Sequence, residues 1–229
     1  MKFAGITKTS TMDYPKNIVS TVYTNGCNFR CEFCHNGELV EGREIEKKYI
    51  IDEDEIIKHL QKRKNMLDGI CITGGEPTIW GKELIKFMER VKKELGNEFL
   101  IKLDTNGSNP DFIIETKDIV DFYAIDFKSL EYEQFSKIKK DIVLETIENV
   151  KEYAKDYEIR CTMYPKYIKK EDFEEIARLL SGAKKVAIQQ FNPDKVYIVD
   201  TNIKAYSNEI LEELKKELIK KGIEVEIRA

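Results

Sequence analysis

The feature that most constrains the fold is a strand pattern followed by a helix pattern, repeated along most of the chain. The strand-like segments are short, apolar and rich in β-branched residues, and apolar residues at helical spacing follow them. The six strand-like segments are residues 18–24, 69–72, 99–103, 119–125, 158–163 and 186–190. Parallel neighbours need a crossover, which is usually a helix, so this alternation predicts a parallel sheet in an α/β fold.

Six such units are fewer than the eight of a closed barrel, so we expect a partial (β/α)6 TIM-like barrel that is open laterally. Residues 207–222 and 223–227 predict an extra C-terminal helix and strand. A chain of 229 residues can form one domain. We therefore expect a single domain over 1–229, with its core at about 18–193 and the C-terminal extension at about 194–229.

A cysteine-rich loop follows the first strand-like segment. Cys27, Cys31 and Cys34 lie close enough in sequence for three thiolates to hold one metal centre from one side. Three thiolates without a fourth protein ligand leave an open position, which favours a catalytic centre over a closed structural one. A zinc site completed by His35 is the alternative, although the adjacent Cys34 and His35 are poorly placed to bind the same ion.

Polar motifs follow the next strand-like segments in order. They are Gly74-Gly75-Glu76-Pro77, Asp104-Thr105-Asn106-Gly107 and Asp126-Phe127-Lys128. The carboxyl ends of parallel strands meet at one edge, where barrels of this kind build active sites, so we expect all three motifs to face the cysteine loop. Taken singly, each motif is also compatible with an ordinary turn or with solvated charges.

As a set, these motifs resemble those of the radical S-adenosylmethionine (radical SAM) enzymes. Cys34-His35-Asn36, Leu103-Asp104-Thr105-Asn106-Gly107 and Asp126-Phe127-Lys128 are similar to motifs of the small activases that install a glycyl radical in a partner enzyme, in particular the anaerobic ribonucleotide reductase type. The resemblance implies an oxidoreductase that reductively cleaves S-adenosylmethionine to methionine and a 5'-deoxyadenosyl radical. It also implies a glycyl radical enzyme as protein substrate, an electron donor such as flavodoxin or ferredoxin, and anaerobic conditions.

The resemblance further implies roles for individual residues. Cys27, Cys31 and Cys34 would each hold one iron of a 4Fe-4S cluster. Phe33 would pack near the adenine of S-adenosylmethionine and offer backbone polar groups to it.

The later motifs would hold the rest of the cofactor. Gly74 and Gly75 would receive the methionine ammonium group, and Glu76 would orient that segment. Asn106 would reach a ribose or a carboxylate, while Lys128 and Arg160 would bind the methionine carboxylate.

Asp104 and Asp126 would surround a possible monovalent cation, and Asp104, which is also assigned to cofactor binding, could accept a hydrogen bond from an ammonium group. Gln189 or Gln190 could face the adenosine, and strand alternation allows only one of them to do so. The remaining cysteines lie in strand interiors, where a free thiol usually packs as a small apolar group. We therefore expect Cys71 and Cys161 to belong to the core.

Composition limits the classes of partner. The chain has 38 Lys and Arg residues against 42 Asp and Glu residues, a net charge of -4, so we expect no nucleic-acid face. It has no apolar run of about 18 residues and no apolar N-terminal targeting segment, so we expect a soluble, cytoplasmic protein without membrane contacts. The charged fraction of 35% resembles hyperthermophile proteins, and a melting temperature in the mesophile range would contradict this expectation.

Two other functions stay open at this point. One is a radical SAM enzyme that acts on a small molecule or a nucleobase instead of a protein glycine. The other is a non-catalytic interaction module that binds zinc through the cysteine loop.

Overall fold

The computed structural model describes residues 1–40, 50–193 and 203–228. The strands are β1 (Lys2–Phe3), β2 (Gly5–Ser10), β3 (Val19–Thr24), β4 (Ile51–Asp52), β5 (Gly69–Gly74), β6 (Leu100–Thr105), β7 (Phe122–Phe127), β8 (Tyr157–Met163), β9 (Lys185–Gln190) and β10 (Glu224–Arg228). The α-helices are α1 (Gly37–Val40), α2 (Glu53–Arg63), α3 (Lys82–Leu95), α4 (Pro110–Thr116), α5 (Lys140–Tyr153), α6 (Phe173–Leu179) and α7 (Asn208–Lys220). Short 3-10 turns span Pro77–Trp80, Tyr132–Gln134 and Lys170–Asp172.

The main sheet has eight strands in the order β10-β9-β8-β7-β6-β5-β3-β2. All neighbours in it are parallel except β2, which pairs antiparallel with β3. β1 and β4 form a separate antiparallel pair. Within the described residues the edge strands β2 and β10 do not pair with each other, so the sheet stays open. This confirms the predicted α/β class and the open barrel.

The predicted strands are found with small shifts at their ends. The largest shift is at β7, which begins at Phe122 instead of residue 119, because residues 117–119 still belong to the turn after α4. The edge strand β2 was not predicted. Its sequence Gly-Ile-Thr-Lys-Thr-Ser is largely polar, and its residues are only partly buried or exposed, so it lacks the apolar signal of the central strands.

Apolar residues fill both sides of the sheet. On the outer face the helices bury their apolar stripes against it, as α3 does with Leu84, Phe87, Met88 and Val91. On the inner face a smaller apolar cluster closes the amino-terminal end of the strands, and it contains Tyr14, Val19, Cys71, Phe122 and Ala124. The inner face therefore becomes polar only towards the carboxyl ends of the strands.

Cys71 and Cys161 are both fully buried, in agreement with the predicted core role. Within the described ranges, no helix combines the length and the apolar character needed to cross a membrane.

The C-terminal strand is joined to the sheet by charge as well as by hydrogen bonds. Arg228 on β10 donates to both carboxylate oxygens of Glu158 on β8, at 2.9 and 2.7 Å. Glu158 is only 1% exposed, and a buried carboxylate without a partner is strongly unfavourable. Because β9 lies between the two strands, this ion pair spans three strands of the sheet.

We expect Arg228→Met to lower the free energy of unfolding by about 3 kcal/mol, because it leaves the Glu158 carboxylate buried without its cationic partner. Urea unfolding followed by circular dichroism measures the change. Arg178→Met is the matched control, since Arg178 pairs with Glu175 at the surface and its loss should leave stability almost unchanged. Equal stability of the two variants would contradict the expectation.

Candidate functional site

The cysteine loop leaves the carboxyl end of β3 and folds back onto neighbouring segments. Gly26 adopts a φ of 84°, a left-handed conformation that suits glycine, and its N–H donates to the Leu39 carbonyl at 2.7 Å. Further along, the Arg30 N–H donates to the Phe135 carbonyl at 2.8 Å, and the Cys34 N–H donates to the Cys31 carbonyl at 3.2 Å. These bonds hold the three cysteines on one compact turn.

The three thiols lie in a largely water-excluded environment. Burial raises the pKa of Cys27 to about 11 and that of Cys31 to about 12, and it also raises the pKa of Cys34. The nearby Lys128 ammonium opposes this effect at all three thiols. A metal centre stabilises thiolates strongly, so its binding here would release the thiol protons.

The arrangement of donors bears on the kind of metal centre that the cysteine loop could hold. Within the described residues, no group of three or more Cys, His, Asp and Glu side chains is arranged to hold a single ion. A single zinc ion needs such a group, whereas a 4Fe-4S cluster places each cysteine on a different iron and so needs thiols that are spread apart. Three thiols on one turn therefore fit a cluster, in which each thiolate would bind a different iron.

A cavity of about 490 Å³ opens next to the cysteine loop at the carboxyl edge of the sheet, large enough for a nucleoside-sized ligand. Every residue that the sequence assigned to the site lines it: Cys27, Cys31, Phe33, Cys34, Gly74, Gly75, Glu76, Asp104, Asn106, Asp126, Lys128 and Arg160. The expected gathering of the motifs at one edge is thus observed. Their individual roles toward a cofactor stay predictions.

The glycine motif at the end of β5 lies against the start of the cysteine loop. The Gly75 N–H donates to the Thr24 carbonyl at 2.9 Å, and the Glu76 N–H donates to the Gly26 carbonyl at 2.8 Å. A Cβ atom on Gly75 would lie 2.0 Å from the Gly26 carbonyl oxygen, so only glycine allows this approach. The spacing between the two loops is therefore set by contact of their backbones.

Glu76 connects the second and third loops of the site. It is 1% exposed, and its carboxylate accepts hydrogen bonds from the Thr78 N–H and hydroxyl, the Thr105 hydroxyl and the Asn106 N–H, at 2.6 to 3.0 Å. Four donors satisfy a buried carboxylate. Glu76 thus bonds its own segment to the loop after β6, and its role towards a cofactor stays a prediction.

Asn106 in turn connects that loop to the cysteines. Its side-chain amide donates to Asn28 Oδ1 at 2.9 Å and lies 3.8 Å from Cys27 Sγ, while its Oδ1 accepts from the Ser108 N–H at 3.0 Å. The side chain that the sequence assigned to a ribose or carboxylate therefore also holds the cysteine loop in place.

A row of alternating charges crosses the inner face beside the cavity. Arg160 donates to Asp104 Oδ2 through Nη1 and to Asp126 Oδ1 through Nε, both at 2.7 Å. Lys128 contacts the other Asp126 oxygen at 2.9 Å, and Lys102 contacts the other Asp104 oxygen. Asp126 and Lys128 thus share one side, as alternation predicted.

These ion pairs set the charge states of the row. Burial alone would raise the pKa of Asp126, but Arg160 and Lys128 outweigh it and hold that pKa at about 2. Burial would likewise lower the pKa of Lys102, yet Asp104 outweighs it and raises that pKa above its ordinary value. The aspartates are therefore ionised and the lysine is charged at neutral pH.

Phe33 belongs to an aromatic group behind the cysteine loop. Its ring centroid lies 5.2 Å from that of Tyr164 and 5.7 Å from that of Tyr167, and the Lys128 Nζ lies 5.5 Å from it. The adjacent Glu32 accepts a hydrogen bond from the Tyr164 hydroxyl at 3.0 Å. The loop after β8 therefore supports the cysteine loop from the side opposite β5.

Sequence reasoning left Gln189 and Gln190 as alternatives and missed two other residues. Both glutamines line the cavity, but Gln189 accepts from the Thr162 hydroxyl at 3.4 Å whereas Gln190 donates to the Tyr206 carbonyl at 2.6 Å. Which of them faces the adenosine stays a prediction.

Arg228 and Asp13 also line the cavity. Arg228 reaches the cavity because β10 pairs parallel with β9. The alternating sequence of β10 did not reveal this pairing. Asp13, in the β2–β3 connection, carries no motif that could have identified it.

Three thiols facing a cofactor-sized cavity at the carboxyl edge of an open α/β barrel define a metal-cluster enzyme. A family model described as the radical SAM superfamily matches residues 21–181, well over half of the chain. The chain belongs to this superfamily of enzymes, which implies a 4Fe-4S cluster and S-adenosylmethionine as cofactors.

Individual proteins agree with this assignment. A candidate glycyl-radical enzyme activating enzyme of Methanocaldococcus jannaschii is 34% identical over 204 residues, covering 85% of this chain and 81% of the relative. The 7-carboxy-7-deazaguanine synthase of Thermococcus kodakarensis is 26% identical, covering 75% and 73%.

Among solved structures, a domain of the pyruvate-formate lyase-activating enzyme from Bacteroides vulgatus has a TM-score of 0.58 at 18% identity, covering 70% of this chain and 99% of that domain. At this identity the similarity supports the fold alone.

We expect Gly75→Ala to lower the free energy of unfolding of the metal-free protein by about 2 kcal/mol, because the new Cβ must push the Gly26 carbonyl away. Thermal or urea unfolding measures the loss. Gly5→Ala is the control, since its Cβ would meet nothing closer than 3.7 Å and stability should change by less than about 0.5 kcal/mol. A Gly75→Ala variant as stable as the control would refute the proposed backbone contact.

Proposed function

We propose that this protein is a glycyl radical enzyme activating enzyme, and that its partner is an anaerobic ribonucleotide reductase. The observation that carries the proposal is the meeting of the cysteine loop with the Asp104-Thr105-Asn106-Gly107 and Asp126-Phe127-Lys128 motifs around one cavity. The M. jannaschii relative supports the activase class through its name and its coverage of both chains. The ribonucleotide reductase partner rests on the resemblance of the motifs.

In this proposal Cys27, Cys31 and Cys34 each hold one iron of the cluster, and the fourth iron is left for S-adenosylmethionine. The bound cluster supplies the electron that splits the cofactor into methionine and a 5'-deoxyadenosyl radical. The chain's own residues bind and orient the cofactor and keep water away from the reacting bond. They are not required to act as an acid or a base.

Each remaining contact follows from the position of its residue in the cavity wall. The Gly74 and Gly75 backbone, which carries no side chain of its own, receives the methionine ammonium group. Lys128 and Arg160 bring positive charge to the carboxylate, and Phe33 lies beside the adenine. Asp104 and Asn106 complete the wall, with Asn106 towards the ribose and Asp104 holding Arg160.

The partner proteins follow from the same site. The sheet is open between β2 and β10, and a glycine-bearing loop of the partner enzyme enters through this opening. A flavodoxin or a ferredoxin supplies the electron to the cluster.

The monovalent cation expected between Asp104 and Asp126 does not fit the residues present. All four carboxylate oxygens of the two aspartates already contact a lysine or an arginine. A cation would have to displace one of these groups, so no part of the proposed activity depends on it.

Cluster binding is tested by cysteine variants made and purified without oxygen. We expect about four irons and four sulfides per chain in the reconstituted parent, and loss of the cluster absorption in Cys31→Ala, which removes an iron ligand. Cys161→Ala is the matched control, because Cys161 is also buried but lies within β8. Near-stoichiometric zinc without iron in the parent, or an intact cluster in Cys31→Ala, would overturn the assignment.

The activase function is tested by electron paramagnetic resonance of the reduced protein mixed with S-adenosylmethionine and an anaerobic ribonucleotide reductase. We expect the doublet of a glycyl radical, and no doublet when the radical glycine of the reductase is replaced by alanine. A doublet only with another glycyl radical enzyme would refute the named partner.

Cofactor cleavage without a radical on any such enzyme would refute the activase and favour a small-molecule or nucleobase substrate. A substrate of that class is consistent with the similarity to the T. kodakarensis synthase.

A further inference from the structure

Lys102 is a buried charge to which the proposed chemistry assigns no part. It is 2% exposed, and it lies on β6 two residues before Asp104, so both side chains point to the inner face. Its ammonium group contacts Asp104 Oδ1 and lies 3.9 Å from the Cys71 thiol. A buried ammonium group is strongly unfavourable without a partner, so this lysine is held there by Asp104.

Lys102 does not itself reach the cavity. Asp104, Asp126, Lys128 and Arg160 line the cavity wall, whereas Lys102 lies behind Asp104, towards the amino-terminal end of the strands. Any effect on a bound cofactor must therefore pass through Asp104, which in turn holds the guanidinium of Arg160 at 2.7 Å.

The charges of this group already have a positive excess. The cations are Lys102, Lys128 and Arg160, and the anions are Asp104 and Asp126, so the group carries 3 − 2 = +1. Each carboxylate oxygen faces one cationic side chain. Adding a free cation between the aspartates would raise this buried charge further and break at least one ion pair, which is unfavourable in a site of low dielectric.

We propose that Lys102 is a positioning residue that supplies, as a fixed charge, the positive charge that a free monovalent cation would otherwise bring to Asp104. Because the ammonium is covalently attached, its presence does not depend on salt composition and no ion has to be captured from solution. Asp104 then keeps Arg160 in place for the cofactor carboxylate whether or not sodium or potassium is present. This inference rests on the proposed function, since the ligand concerned is S-adenosylmethionine.

The experiment measures the dissociation constant for S-adenosylmethionine by equilibrium dialysis on cluster-loaded protein. Potassium, sodium and choline chloride are compared at one ionic strength. For the parent we expect less than about a twofold difference among the salts. For Lys102→Met, which keeps the length and removes the charge, we expect affinity about tenfold weaker in choline and largely restored by potassium or sodium.

Lys92→Met is the matched control. Lys92 is also partly buried and pairs with Asp121 at 2.5 Å, but it lies on α3, outside the cavity wall. It should behave like the parent in all three salts. If Lys102→Met does not fold, Lys102→Gln takes its place. The effect of the three salts on the affinity of the parent is measured independently of both variants.

The outcomes separate this inference from the proposed function. Parent affinity that falls tenfold in choline, or Lys102 variants that bind equally in all salts, would overturn the fixed-charge role while leaving the enzyme assignment intact. A parent that holds no iron, or that binds no S-adenosylmethionine in any salt, would overturn both.

Discussion

Parallel pairing of β3, β5, β6, β7 and β8 is the constraint on which the rest of the site depends. Each strand ends in the same direction as its neighbours, so the loops that follow them meet at one edge although more than a hundred residues separate Cys27 from Arg160. The helices between the strands make this possible, because parallel neighbours cannot be joined by tight turns. The apolar cluster at the opposite end of the inner face leaves that edge as the place for polar groups.

Within this frame the loops are joined by a small set of polar contacts. Glu76 bonds the loop after β5 to that after β6, and Asn106 bonds the latter to the cysteine loop. Arg160 bonds β8 to both β6 and β7. A buried carboxylate or guanidinium with incomplete partners is strongly destabilising, so each of these groups fixes the relative position of the elements it connects. The shape of the cavity therefore depends on these hydrogen bonds and ion pairs as much as on apolar packing.

The sequence was sufficient to predict the alternation of strands and helices, the parallel sheet and the gathering of the motifs at one edge. These features follow from local patterns, namely β-branched runs, helical apolar spacing and motifs at the ends of strands. Phe33 and Arg160 were assigned to the site through the resemblance to radical SAM enzymes. Contacts between distant residues could not be predicted in this way. Nothing in the sequence distinguishes Lys102, buried against Asp104, from a lysine on a solvated strand face, and the joint contact of Arg160 with two aspartates depends on register. β2 was missed because its polar sequence is typical of a loop. Only its antiparallel pairing with β3 identifies it as a strand.

An open sheet also has two outer strands whose backbone groups are not covered by a neighbour within the described residues. Such edges can pair with another chain and begin aggregation. On β10 the side chains of Glu224, Glu226 and Arg228 place charges along the edge. On β2 the regular pairing with β3 is interrupted between Thr7 and Ser10. Such an irregularity bends the strand, so its free edge offers fewer evenly spaced backbone groups to an incoming strand. The opening of the sheet is thus flanked by strands that discourage edge-to-edge self-association.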